Sequence, residues 1–460
     1  MKAERLLVVF LLLLHFEAWG QTGVPEGISG TLPLLYIDSE APITSKEVYV
    51  DATMFLDPMG CDWADSIGSV VERVPLKIRG RGNWTWSDTF EKKPYKLKFL
   101  EGLKIMGMRK GKHFALLAHA DGQSFFKNRA GFFLSRRWGM AFTPEERPVE
   151  VVLNGEYVGL YLLTETVRVG KRRLDINEQR DYQTDPDSIT GGWLIELDNN
   201  IDEHQIRLST RGTNLQRFWV TYHTPENLST AQYNYLYAQM RTLLERVFTD
   251  DKNSTEWEKL IDLETLAKYF LISEMVDHVE AFQGSCFLYK DLGEEKWKFG
   301  PLWDLGQALN IWHPKYRYIY EVEGWTTDIS RELMKFPRLR EEVLRLWQRD
   351  GFDAMMAMRD DLHRFADTIR TAYDCNYQRW PAYYRSTLEK QMNSIDRQIT
   401  DKLYAIIRRS MQGFDGIDEI TLSSDRENAS QPLYDLLGRP VKPGQKGVVI
   451  KKGRKELMLR

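Results

Sequence analysis

Apolar and polar residues alternate with a period of two through much of the first third of the chain. Between residues 31 and 60 the runs LPLLYID and EVYVDATMFL, cut by Pro and Asp, predict short strands. VPLKIRGRGNWTW predicts a strand that runs into a glycine-rich turn. In KKPYKLKFL, Tyr95, Leu97 and Phe99 alternate with Lys96 and Lys98, the mark of a half-buried strand, and the two segments form a hairpin with basic side chains on one face. From Ser124 to Trp138 the spacing turns helical, with Phe126, Ala130, Phe133 and Leu134 on one side and Gly139 placed to stop the helix. VEVVLNGEYVGLYLLTETV then gives two apolar runs joined through Asn154-Gly155, the dipeptide suited to a type I′ turn.

A polar linker over residues 177–190 precedes GGWLIELDN, another strand. Leu228 to Phe248 and Leu263 to Val276 read as helices, and CFLYKD, a turn and KWKFGPLWD as a hairpin. Ile329 to Ser410 is almost purely helical in pattern, and the last forty residues return to β-type alternation. Strands first and helices later indicate an α+β protein.

At 460 residues the chain exceeds the size at which a single core keeps growing, so one large domain with appendages, or two domains, is expected. The 63 Lys and Arg nearly balance 66 Asp and Glu, which argues against a general nucleic-acid or membrane-surface binder. Cys61, Cys286 and Cys375 are too few for a disulfide scaffold and lack CxxC spacing, leaving one bridge or three thiols open. Lys2 and Arg5 ahead of the apolar run Leu6 to Leu14, followed by Ala18-Trp19-Gly20, read as a secretory signal peptide over residues 1–20. No Cys follows that run for lipid attachment, and no later stretch reaches the length of a membrane span, so a soluble protein, secreted or at the cell surface, is expected.

Glu280, in EMVDHVEAFQGSCFLYKD, and Asp304, in GPLWDLG, are the candidate catalytic pair. Metal-assisted phosphoryl transfer needs one carboxylate to hold Mg²⁺ on the phosphates and another to orient the attacking hydroxyl. Pro301 and Trp303 stiffen the approach to Asp304, whose plainer reading is a turn residue. His278 and His313 lack recognisable partner spacing and read as ordinary polar residues, and no GxSxG, HExxH or EF-hand pattern occurs.

Seven strings in order, IRGRGNWTW, KKPYKLKF, LLAHADGQSFFKNRAGFFLSRRWGM, VEVVLNGEYVGLYLLTETV, GGWLIELDN, ISEMVDHVEAFQGSCFLYKD and FGPLWDLG, resemble the CotH family of spore-coat-protein-like chains with an atypical protein-kinase fold. They cover about Val74 to Asn310. The resemblance implies a two-lobed kinase-like fold, a β-rich N-terminal lobe and a helical C-terminal lobe, with ATP between them and Mg²⁺ or Mn²⁺ on acidic residues. It divides the chain into a signal peptide (1–20), a β segment (21–70), a CotH kinase-like domain (71–412) and a small β tail (413–460). The tail, YDLLGRPVKPGQKGVVIKKGRKELMLR, is similar to the C-terminal sorting domain of type IX secretion, whose machinery would be a partner.

Carried onto this sequence, the turn Gly80-Arg81-Gly82-Asn83 would offer backbone N–H groups to phosphate. Arg79, Arg81, Lys92, Lys93, Lys96 and Lys98 would neutralise phosphate charge, with a solvated strand face as the alternative for each lysine. Glu165 would hold such a lysine, or be an ordinary strand-end carboxylate. Asp304 would bind the metal, and Glu280 takes the place of the family's catalytic Asp. The extra methylene displaces the carboxyl by more than about an ångström, and misplacement of that order can cost on the order of 10²-fold in rate. Gly306 replaces the second metal-binding acid, and Asp277, at i and i+3 spacing from Glu280, is a conceivable substitute. Three functions follow as expectations: a kinase acting on Ser or Thr of secreted or surface proteins, a non-catalytic surface or coat-assembly protein on the same fold, or a carbohydrate hydrolase built on Glu196 and Asp198.

Overall fold

The computed structural model describes residues 26–120, 125–198, 204–209, 217–309, 328–384, 386–411, 434–435, 447–451 and 454–458. The expected signal peptide and His313 lie outside them. The protein is α+β and divides into two compact units. The first takes the described residues up to 120 with Arg147–Leu163 and 369–384; the second takes the remainder.

The first unit is built on a closed seven-stranded barrel. β1 (Leu34–Ser39), β2 (Val50–Asp57), β3 (Val74–Gly80), β4 (Tyr95–Leu103), β5 (Gly111–Leu117), β6 (Glu146–Leu153) and β7 (Glu156–Glu165) run in the order β1-β2-β3-β4-β5-β7-β6. β1 and β6 pair in parallel and close the ring, so no strand edge is left open. Period-two alternation sends Ile37, Met54, Leu76, Ile78, Leu97 and Phe99 into one apolar core, while Lys96, opposite Arg79, and Lys98, opposite Lys77, alternate to the other face. Asn154 and Gly155 both take positive φ, 52° and 80°, as a type I′ turn requires, and join β6 to β7.

The second unit carries its own antiparallel sheet: β8 (Trp193–Asp198), β9 (Gln205–Ser209), β10 (Arg217–Thr224), β11 (Cys286–Lys290) and β12 (Lys298–Phe299), in the order β12-β11-β8-β10-β9. Its helices are α1 (Phe126–Arg137), α2 (Thr230–Val247), α3 (Leu263–Met275), α4 (Asp328–Met334), α5 (Pro337–Leu346), α6 (Phe352–Arg379, whose last residues belong to the first unit) and α7 (Leu388–Met411). α3 starts where the Asp262 carboxylate accepts the Thr265 N–H at 2.8 Å. It is apolar on most sides and buried from Leu266 onward apart from Lys268, which makes it the central helix of this unit. A small antiparallel sheet, β13 (Tyr434–Asp435), β14 (Gly447–Lys451) and β15 (Arg454–Met458), forms from the C-terminal residues.

The expected kinase-like pair of lobes is met at the coarser level of α+β: the N-terminal strands close into a barrel, and the helix-rich part has a five-stranded sheet. Residues 177–190 are also more than a linker. Gln179 is buried and donates to Ser188 O at 2.9 Å and Gly191 O at 2.6 Å, and it accepts from Gln232 Nε2 at 2.9 Å. On α1 it is Phe132, not Phe133, that is fully buried. All three cysteines are free thiols. Among the described residues no helix is long and apolar enough to cross a membrane.

Candidate functional site

The chain leaves α3 through a sequence of left-handed residues. The His278 N–H reaches back to Ser273 O at 2.8 Å, and Asp277, at φ 54°, reverses the direction. Phe282 (φ 67°) and Ser285 (φ 50°) follow in the same region. Such conformations cost about 1 kcal/mol or more each for non-glycine residues and persist only where packing imposes them. Here the packing is aromatic: the Phe282 ring lies 5.0 Å from that of Tyr269, 5.1 Å from Phe270 and 5.7 Å from Phe299. Glu280 sits at the crest of this turn, half-buried.

Asp304 belongs to the loop after β12. Its neighbours are fixed on both sides, while its own side chain is exposed. Trp303 stacks on Phe132 of α1 at 6.3 Å. Leu305 is buried against Gly131, where a Cβ would fall 2.2 Å from Leu305 Cδ1, so only glycine admits this approach. The Leu305 N–H donates to Asn128 Oδ1 at 2.9 Å, and Lys127 Nζ donates to Gly306 O at 2.8 Å. The Leu309 N–H then bonds Val276 O at 2.6 Å, tying this loop to the turn that carries Glu280.

The two carboxylates act on each other electrostatically. Burial raises the Glu280 pKa first, the Asp304 carboxylate raises it further, and Lys127 opposes both. A like charge and a cation thus oppose each other at Glu280. His278 is depressed to about 4, chiefly by burial and then by Lys127, so it is neutral at pH 7. Its Nδ1 is buried without a hydrogen-bond partner.

Asp277 does not share a helical face with Glu280, because the helix has already ended. Its carboxylate is buried against Lys402, at 3.1 Å. Gly306, the position of the missing acid, has no crowding to explain the loss: a Cβ there would stand 3.5 Å from Asp304 Oδ1, an ordinary contact.

The basic candidates belong to the first unit. Arg79 lies 3.6 Å from Glu47 and over the Tyr49 ring, which Lys98 also approaches. Two N–H groups of the glycine turn are taken by protein carbonyls, Gly80 by Ser45 O at 2.9 Å and Arg81 by Pro94 O at 3.2 Å. Lys93 donates to Ser87 O at 2.7 Å. Lys92 is 1% exposed and donates to Leu160 O at 2.6 Å, Ala118 O at 2.8 Å and Tyr384 Oη at 3.1 Å. Glu165, in the second unit, is buried, accepts the Glu145 N–H at 3.0 Å and pairs with Arg173 at 2.8 Å. Glu196 pairs with His223 at 2.8 Å across the sheet.

Among the described residues no group of three or more His, Cys, Asp and Glu side chains could hold a metal. Mg²⁺ keeps several waters and binds through one or two carboxylates plus substrate phosphates, so the exposed Asp304 carboxylate is a fitting donor.

A family model described as CotH kinase protein matches residues 78–405. The chain belongs to the CotH kinase family. A search of curated proteins finds no match. The matched span of this CotH chain contains Glu280, Asp304, all the basic candidates and Glu165, and it ends before the C-terminal strands. It also contains Lys127 and Asn128, which sequence reasoning passed over. Lys127 falls on the face of Ala130 and Leu134, at i+3 and i+7, and a lysine on an apolar face was the available signal.

Proposed function

We propose that this CotH chain is an exported metal-dependent phosphotransferase, which uses ATP to phosphorylate Ser or Thr hydroxyls of secreted or surface proteins. The observation that carries the reading is the Asp304 loop, held by Lys127 at Gly306 O and by Asn128 at the Leu305 N–H, and tied through the Leu309 N–H to Val276 O beside the turn that carries Glu280. Asp304, exposed on a loop gripped at Trp303, Leu305 and Gly306, would hold the metal. A bound Mg²⁺ or Mn²⁺ neutralises phosphate charge as the phosphoryl group transfers. Glu280 would accept or orient the acceptor hydroxyl, and Lys127 balances the negative charge of the pair. The spacing supports this assignment. Protein kinases place His-x-Asp five residues before a metal-binding Asn and use Asp-Phe-Gly for the other metal contact. Here His278-Val279-Glu280 precedes Ser285 by the same interval, and Asp304-Leu305-Gly306 follows.

The departures from the family pattern, Glu280 for its catalytic Asp and Gly306 for its second metal-binding acid, favour a second reading, a surface or coat-assembly protein that has kept the fold and lost turnover. Export through the signal peptide, and sorting through the C-terminal strands by a type IX-like machinery, accompany either reading. Thermal melts with millimolar ATP and Mg²⁺ or Mn²⁺ test the site. The kinase reading expects a metal-dependent rise in Tm that Asp304→Ala abolishes, and phosphate transfer to a generic acceptor that Glu280→Gln abolishes. A nucleotide-dependent rise without transfer selects the second reading, and no rise at all removes ATP from both.

A further inference from the structure

Behind the turn that carries Glu280, three ionisable side chains are buried together. Lys402, from α7, and Asp277 are each 1% exposed, and Glu274, in the last turn of α3, is 3% exposed. Lys402 Nζ bonds a Glu274 carboxylate oxygen and stands 3.1 Å from Asp277 Oδ1. Burial works to lower the pKa of Lys402, but Glu274 and then Asp277 outweigh it and hold it raised, so the ammonium stays charged.

Such a cluster is a poor device for stability alone. Apolar or neutral residues of the same volume do as well or better, because desolvating three charges offsets most of their attraction. What it supplies is a defined geometry. Asp277 is the left-handed residue that ends α3, and its N–H bonds Glu274 O at 3.1 Å, so both carboxylates gripped by Lys402 belong to the reversal from which Glu280 projects. One cation on a separate helix therefore fixes the side chains on either side of that reversal.

We propose that Lys402 is a positioning residue for Glu280, fixing the left-handed reversal at Asp277 that opens the turn from which the Glu280 carboxylate projects. This rests on the phosphotransfer reading for its kinetic consequence, though not for its structural one.

Lys402→Met alone removes the buried cation facing two buried carboxylates and is expected to fold poorly. The informative variant is Lys402→Met/Glu274→Gln/Asp277→Asn, which removes all three charges at similar volume. It is expected to keep a Tm close to that of the parent and to retain the Mn²⁺-ATP-dependent rise, since Asp304 is untouched. Its kcat is expected to fall on the order of 10- to 100-fold with the nucleotide KM unchanged. Amide hydrogen exchange over residues 277–283 is expected to accelerate while α3 and the barrel stay protected. A triple variant with parental kcat, or with parental exchange over that turn, overturns the proposal. Should the parent itself transfer no phosphate, the phosphotransfer reading fails and the exchange arm still decides the role of Lys402.

Discussion

Lys92 in the barrel unit and Lys127 in the second unit are both almost wholly buried, at 1% and 6% exposure, and their surroundings differ. Lys92 faces two backbone carbonyls, a tyrosine hydroxyl and the rings of Tyr161 and Tyr384 at 4.6 and 5.3 Å. Burial pulls its pKa well down, and those acceptors fix the strands around it. Lys127 donates to the carbonyl of a loop residue and acts electrostatically on Glu280 and His278. The first arrangement is what a structural pin needs. The second couples a cation to an acid that Asp304 also opposes and to an imidazole with an unpartnered nitrogen, next to several left-handed residues, a combination that lowers stability and is retained where chemistry requires it.

Removing each lysine separates the two roles. Lys92→Met removes the core hydrogen bonds to Leu160 O, Ala118 O and Tyr384 Oη and is expected to cost about 3 kcal/mol, read as a lowered urea midpoint. Lys127→Met is expected to cost about 1 kcal/mol or less in the same measurement and to remove most of the nucleotide-dependent rise in Tm. If instead Lys92→Met loses nucleotide response with stability intact, the contrast between the regions is wrong.

Acid sharpens the contrast from another side. A histidine whose folded pKa is about 4 against an unfolded value near 6.5 makes the unfolded chain the better proton binder. Stability contributed by neutral His278 is present above pH 6.5 and is lost as the pH falls toward 4, a decline of about 3 kcal/mol. His278→Asn is expected to flatten that part of the stability profile, and an unchanged slope would show that the buried imidazole is not its source.

The smallest expected change is also the most specific. At position 306 a side chain fits, with the Cβ 3.5 Å from Asp304 Oδ1. Gly306→Asp is expected to lower the metal-free Tm slightly through like-charge repulsion and to enlarge the rise produced by Mn²⁺-ATP. A variant with no greater response than the parent would mean that the loop does not aim position 306 at the metal.

Local chemistry made much of the architecture legible. Asn154-Gly155 carries its turn type in two residues, and α3, read as Leu263 to Val276, runs from Leu263 to Met275. Barrel closure was not legible, because it depends on Leu34 meeting Glu150 and Ile37 meeting Leu153 across more than a hundred residues. Nor were β5, β9 and β10, whose polar residues blur the period. At the site, Glu280 and Asp304 stood out through their strings. Lys127, Asn128 and Lys402 did not, because their meaning comes from what another segment brings to them: Gly306 O, the Leu305 N–H, and the Glu274 and Asp277 carboxylates.

The central claim is that Glu280 and Asp304 form one metal–nucleotide site. Electron paramagnetic resonance of free Mn²⁺, titrated with the protein in the presence of ATP, tests it most directly. The account predicts one bound Mn²⁺ per chain, an affinity at least about tenfold weaker in Asp304→Ala, and a measurable change in Glu280→Gln. Equal Mn²⁺-ATP affinity in the parent and both variants would contradict it.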